Sequence, residues 1–201
     1  MSEKDNVGAD SNLELTDRLG EVPSKSTKEE SFVDFLKELP GLLVIAFLIA
    51  LILRTFVFQT TIINQDSMRP NLSPNDRTIV LKFIYRFTEP KPGDVIILVP
   101  PHTNDGRDFV KRIVAVEGDT IQVKDGKVYV NGRLYIGNFK TMPGDYSNCG
   151  PLKVPEDNVF VLGDNRPISQ DSRWFGPVPE KNIIGKVVAV YWPPNHLKLM
   201  H

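Results

Sequence analysis

Histidine and cysteine are scarce in this chain, and their scarcity removes whole classes of chemistry. Among 201 residues there is one cysteine, Cys149, and three histidines, His102, His196 and His201. A single thiol cannot form an internal disulfide framework or a thiolate zinc site, and the histidines show no paired metal-ligand spacing. The expectation is a protein with no metal and no cofactor, whose hydrolytic chemistry, if it has any, need not use histidine. Charge of one sign is lacking too. The 24 Lys+Arg and 25 Asp+Glu leave a formal charge of −1, so no basic footprint for nucleic acid exists. There is no internal repeat, no Gly-x-Ser-x-Gly elbow, no His-Glu-x-x-His helix and no phosphate-cradling glycine loop.

What is present falls into three parts. Residues 1–31 are rich in Ser, Asp, Glu and Lys with no sustained apolar period, so they read as a disordered polar tail that cannot offset its ordering entropy. Residues 32–58 read as a juxtamembrane segment and anchor. Positions 41–53 (GLLVIAFLIALIL) are uncharged, and continuing past Arg54 to Phe58 gives a helix of roughly 27 Å at about 1.5 Å per residue. The run is apolar on all faces, which favours a transmembrane helix over a buried core helix. A cleaved leader fits poorly, because the preceding region is long and acidic and no small-x-small site follows. Lys28 and Lys37 before the run and Arg54 and Arg69 after it leave the orientation open.

Residues 59–201 read as one all-β domain, barrel-like or a coiled sheet. The segments 78–83, 94–99, 108–116 and 182–192 are rich in Val, Ile and aromatics. Across 120–135, Asp125-Gly126 separates two alternating runs and Asn131-Gly132 offers a second turn, both strong hairpin signals. Sixteen prolines, about 8% against a usual ~5%, favour turns over a helical bundle.

Three stretches stand out from a plain β domain. In 108–116, period two puts Phe109, Lys111 and Ile113 on one face and Val110, Arg112 and Val114 on the other. One cation per face implies that one points inward. A buried lysine loses charge readily and can act as a general base to a serine, which an arginine cannot do; the plain alternative is a lysine guarding a sheet edge. Ser67, in Asp66-Ser67-Met68-Arg69-Pro70, reads on its own as a turn residue. The stretch from Gly163 to Gly176 carries more small, polar and charged residues than a simple connection requires. Cys149 reads as a loop residue or small hydrophobe, His102 as solvated, and Trp174-Phe175 as packing or an interfacial pair.

Together these stretches resemble the membrane-bound type I signal peptidases, the Ser/Lys serine proteases that remove leader peptides. The likeness rests on Ser67-Met68-x-Pro70, on Lys111-Arg112-Ile113-Val114-Ala115-Val116-Glu117-Gly118-Asp119, and on Gly163-Asp164-Asn165-Arg166 with Ser169, Asp171, Ser172, Arg173 and Gly176. Gly93-Asp94-Val95-Ile96 fits the intervening strand. The ordered set covers roughly residues 40–192. The resemblance implies that Ser67 is the nucleophile, that Lys111 is its base, that Ser169 hydrogen-bonds and orients the lysine, and that Asp171 and Arg173 form a supporting ion pair. It implies shallow substrate pockets from Ile63, Met68, Leu72, Phe109 and Val110, suited to Ala-x-Ala sites.

The sequence departs from the family around the nucleophile, where Asn64, Gln65, Asp66 and Asn71 replace Pro, Ser, Gly and Thr. The family's oxyanion hole uses the nucleophile's N–H and a serine hydroxyl two residues earlier, so Gln65 becomes the substitute donor. Asp66 is expected to lie near Lys111 and raise its pKa, unless it faces solvent or caps its own turn. The implied partners are signal peptides, membrane lipid and nearby translocation machinery, with the N-terminus cytoplasmic and the catalytic domain on the extracytoplasmic side. Two rivals are a self-cleaving Ser/Lys regulator of similar fold and a weakened or inactive membrane-tethered β module.

Overall fold

In a computed structural model the described residues are 38–51, 58–101 and 106–200. The chain divides at residues 49/50 into two compact units. Residues 38–51 are helical (α1) and expose Leu42, Leu43, Val44, Ile45, Phe47 and Leu48. Among the described residues no helix is long and apolar enough to cross a membrane. The predicted tail over 1–31, part of the anchor run, His102 and His201 lie outside the described residues.

Phe58 belongs to a strand and not to the end of the apolar helix. Strand β1 (Phe58–Ile62) pairs antiparallel with β2 (Arg77–Leu81), with Phe58 opposite Leu81 and Ile62 opposite Arg77. The segment FQTTI carries two β-branched threonines and alternates in burial, which suits a pleated edge and not a continuous apolar helix.

The remaining strands include those read from the sequence, close to their expected places, and others from segments not singled out there. They are β3 (Val95–Leu98), β4 (Phe109–Val116), β5 (Thr120–Lys124), β6 (Lys127–Val130), β7 (Arg133–Leu134), β8 (Cys149–Lys153), β9 (Asn158–Leu162), β10 (Val178–Pro179), β11 (Ile183–Trp192) and β12 (Lys198–Leu199). A larger sheet runs β1-β2-β11-β3-β4-β9-β10, with β12 on β11, and a smaller one runs β7-β6-β5-β8. Every pairing is antiparallel. Bulges on β11 against both neighbours help curl the larger sheet. Both predicted hairpin turns have two consecutive positive φ values, 49° and 72° at Asp125-Gly126 and 52° and 76° at Asn131-Gly132, as a type I′ turn requires.

Strand β4 is the structural centre. Residues 109–115 are all buried, because β4 is covered on both faces. Phe109 and Ile113 join a cluster with Ile96, Leu98, Val159 and Val161. Val110 packs with Ile63, Met68, Leu72 and Val80, and Val114 with Ile121, Val123 and Phe160. Lys111 and Arg112 are therefore both inside, at 1% and 2% exposure. The sequence pattern required only one inward cation; two-sided burial of this strand accounts for the second.

Candidate active site

Lys111 leaves the middle of β4, opposite Ile96 of β3, and reaches the turn that follows β1. Its Nζ donates to Ser67 Oγ at 2.8 Å and to the Val110 carbonyl at 3.0 Å, and it lies 5.0 Å from the centre of the Phe109 ring. Burial pushes its pKa down from 10.5 to about 8, against the upward pull of the Asp171 and Asp164 carboxylates and with help from the Arg173 guanidinium. Burial wins because each carboxylate already has its own cation. Asp164 is held bidentately by Arg112, Nε to Oδ1 at 2.9 Å and Nη2 to Oδ2 at 2.7 Å. Asp171 is held bidentately by Arg173 at 2.8 Å on both sides.

The loop from Gly163 to Gly176 supports the pair from beneath. Asn165 donates from its backbone to the Ser67 carbonyl at 2.9 Å and from its side chain to the Asp66 carbonyl at 3.1 Å. Gly163 donates to Asp171 at 3.1 Å, and a Cβ there would collide with Ser169 Oγ and come within 2.6 Å of the Ser67 carbonyl oxygen. Glycine at 163 is therefore a steric requirement of the site. Asp171 caps the short helix α2 (Ser172–Phe175) by accepting from Arg173 N. Arg173 also donates to Asp145 at 2.8 Å, Ser147 at 2.9 Å and the Arg166 carbonyl at 2.8 Å, so the ion pair ties this loop to the one before β8.

Several residues singled out in the sequence sit differently from expectation. Ser169 is beside the site and 3% exposed, but its hydroxyl makes no hydrogen bond among the described residues, so it is not bonded to Lys111 here. The Gln65 amide donates to the Asp108 carbonyl at a long 3.4 Å. Asp66 lines the same groove as Lys111 but is not among the charges that act on it. Its carboxylate meets Arg69 Nε at 2.7 Å with both side chains half exposed, and the charges that act on Lys111 come from Asp171, Asp164 and Arg173. Asp66 thus pairs with Arg69 within its own turn.

Two grooves sharing Asn64, Gln65 and Arg107 open at the site. One, of about 470 Å³, is lined by Ile63 and Val110 with Thr61, Ile62 and Ile97. The other, of about 380 Å³, is lined by Ser67, Lys111 and Phe109 with Ile168 and Gln170. Met68 and Leu72 line neither; at 1% and 0% exposure they anchor the turn that carries Ser67 in the core. The Arg112–Asp164 pair and the grip of Asn165 were not read from the sequence. An inward arginine between valines had demanded a carboxylate, and the surplus of aspartate after Gly163 was the available signal. Among the described residues no cluster could hold a metal ion.

A serine hydroxyl bonded to a desolvated amine and lining an open groove can run acyl transfer without histidine. Comparison with known proteins places the chain in a family. A protein-family model described as "Signal peptidase, peptidase S26" matches residues 36–192. The chain is 43% identical over 157 residues to Signal peptidase I of Leptolyngbya laminosa, covering 74% of this chain and 76% of that protein. It is 34% identical over 188 residues to Signal peptidase I of Bacillus licheniformis, covering 87% and 96%. A crystal structure of a signal peptidase I from Enterococcus faecalis V583 aligns at 30% identity, over 49% of this chain and 97% of that one, with a TM-score of 0.41. This chain belongs to the peptidase S26 family of signal peptidases, and its activity is the removal of signal peptides.

Proposed function

We propose that the chain cleaves signal peptides with Ser67 as nucleophile and Lys111 as general base. The observation that carries this reading is the 2.8 Å contact between Lys111 Nζ and Ser67 Oγ, joined to an amine whose pKa burial has lowered to about 8. As an ammonium, Lys111 donates to Ser67. Once neutral it accepts the hydroxyl proton while Oγ attacks the scissile carbonyl. The resulting ammonium protonates the leaving amine, and a water activated by the same lysine then releases the acyl group from Ser67. The Ser67 backbone N–H and the Gln65 amide, freed from its long bond to Asp108, stabilise the oxyanion. Asp171 and Arg173 hold the loop that carries Ser169, and rotation of the Ser169 hydroxyl toward Lys111 gives the amine its orienting partner.

The substrate adds as an extended strand along the exposed edge of β1, with small side chains of an Ala-x-Ala site entering beside Ile63, Val110 and Phe109. The apolar run begun by α1 anchors the protein in the membrane as a single span, with the catalytic domain on the extracytoplasmic side, where translocated preproteins and the translocation machinery are found. The test is processing of a preprotein by the full-length protein in detergent micelles. Ser67→Ala and Lys111→Ala each abolish cleavage, since removing one member of a cooperating pair costs nearly as much as removing both. Retention of more than about a tenth of the rate by Lys111→Ala would require a different base, given the ~10²–10⁴-fold usual for general-base catalysis.

A further inference from the structure

The nucleophile turn is fastened at two ends, and the second fastening is a residue that departs from the family pattern. The turn closes through Arg69 N to the Asp66 carbonyl at 3.1 Å and Leu72 N to the Met68 carbonyl at 2.8 Å. Its near end, Asp66 and Ser67, is gripped by Asn165. Its far end is gripped through Asn71, whose side-chain amide donates to Asp164 Oδ2 at 2.8 Å and to the Lys140 carbonyl at 2.6 Å. Both acceptors lack protons to give, so the amide nitrogen, with its two N–H groups, must face them. The Asn71 backbone carbonyl in turn accepts from Lys198 Nζ.

Asp164 is the carboxylate that Arg112 holds, and Arg112 is the neighbour of Lys111 on β4. The backbone carbonyl of Asp164 also accepts from Met142 N at 2.9 Å. One aspartate therefore joins the base strand, the loop before β8 and, through Asn71, the far end of the nucleophile turn. The geometry points to Asn71 as a positioning residue for the signal peptidase reaction, one that sets the distance and angle between Ser67 and Lys111 by clamping the turn to the Asp164–Arg112 pair. The threonine common at this place in the family offers one hydroxyl donor; asparagine offers two, and here uses both. This inference rests on the Ser67–Lys111 reading.

The test compares Asn71→Ala, Asn71→Thr and Asn71→Asp in the full-length protein in detergent micelles, on a preprotein with an Ala-x-Ala site, with Ser67→Ala alongside. A displacement of about 1 Å in a reacting pair can cost about 100-fold, and partial slackening from one lost anchor is expected to lower kcat about tenfold. KM should stay within about twofold, because Asn71 lines neither groove. Asn71→Thr keeps one donor and should recover part of kcat. Asn71→Asp sets a carboxylate against Asp164 and should fall below Asn71→Ala. If Asn71→Ala unfolds, the folded Asn71→Thr variant decides, with kcat between wild type and tenfold down. Wild-type kcat in folded Asn71→Ala, or a loss confined to thermal stability or to KM, overturns the inference. Cleavage by Ser67→Ala would overturn the underlying reading instead, so the two failures are distinguishable.

Discussion

Replacing Lys111 with methionine should stabilise the protein near neutrality while destroying its activity, and the gain should vanish with rising pH. Methionine has similar length and no charge to desolvate. Burial lowers the lysine pKa from 10.5 to about 8, a drop equivalent to about 3 kcal/mol. Below pH 8 the lysine is protonated in folded and unfolded states alike, and the folded protein carries the full cost of its buried charge. Between about 8 and 10.5 the unfolded chain still binds a proton that the folded protein has released, so wild-type stability climbs with pH. Methionine does not titrate, and all other groups are common to both proteins. The stability advantage of Lys111→Met should therefore shrink by about 3 kcal/mol between pH 7.5 and 10.5. Loss of the bonds to Ser67 and Val110 enters as an offset, so the slope is the informative quantity. Urea unfolding of the full-length protein in micelles, followed by tryptophan fluorescence, measures it. An advantage equal at both ends of the range would refute the claim that the site holds its lysine against a desolvation cost.

Arg173→Ala should leave Asp171 without its bidentate partner, destabilising the fold by about 3–5 kcal/mol. It should also raise the Lys111 pKa, since a cation is removed and a carboxylate is unmasked. The acidic limb of the pH–rate profile then moves to higher pH; a limb that stays put or moves down contradicts the electrostatic account. Asp66→Gly and Asp66→Asn should leave that limb where it is, because the Asp66 carboxylate is spent on Arg69 at a half-exposed site. A downward move of a full pH unit in either variant would reinstate coupling between Asp66 and Lys111.

The β architecture was legible because its signals are local. Alternation across 120–135 and the Asp-Gly and Asn-Gly pairs specify hairpins with little outside help, and the apolar segments from 78 to 192 became strands within a residue or two of their predicted ends. Strand β1 was obscured because Phe58 continues the apolar run before it, and only pairing with β2 distinguishes strand from helix there. Strand β8 holds Gly150 and Pro151, which argue locally against a strand; pairing with β5 overrides them. At the site, Ser67 and Lys111 were singled out through motif order, since neither residue alone distinguishes a candidate catalytic group from a turn serine or an edge lysine. What stayed hidden were the contacts that depend on distant segments meeting. Arg112 and Asp164 are 52 positions apart, and Asn71 and Asp164 are 93 apart. Asp66 was left between two readings for the same reason, because adjacency to Ser67 in sequence said nothing of where its carboxylate points.

Whether a neutral Lys111 takes the proton of Ser67 is tested most directly by the pH dependence of kcat/KM for preprotein cleavage. With a lysine pKa of about 8, about a tenth of the enzyme carries the neutral amine at pH 7, and kcat/KM should rise about tenfold per pH unit below the midpoint. The account predicts a single acidic limb centred near pH 8, unchanged by histidine modification. A limb centred near pH 6.5 and abolished by histidine modification would contradict it.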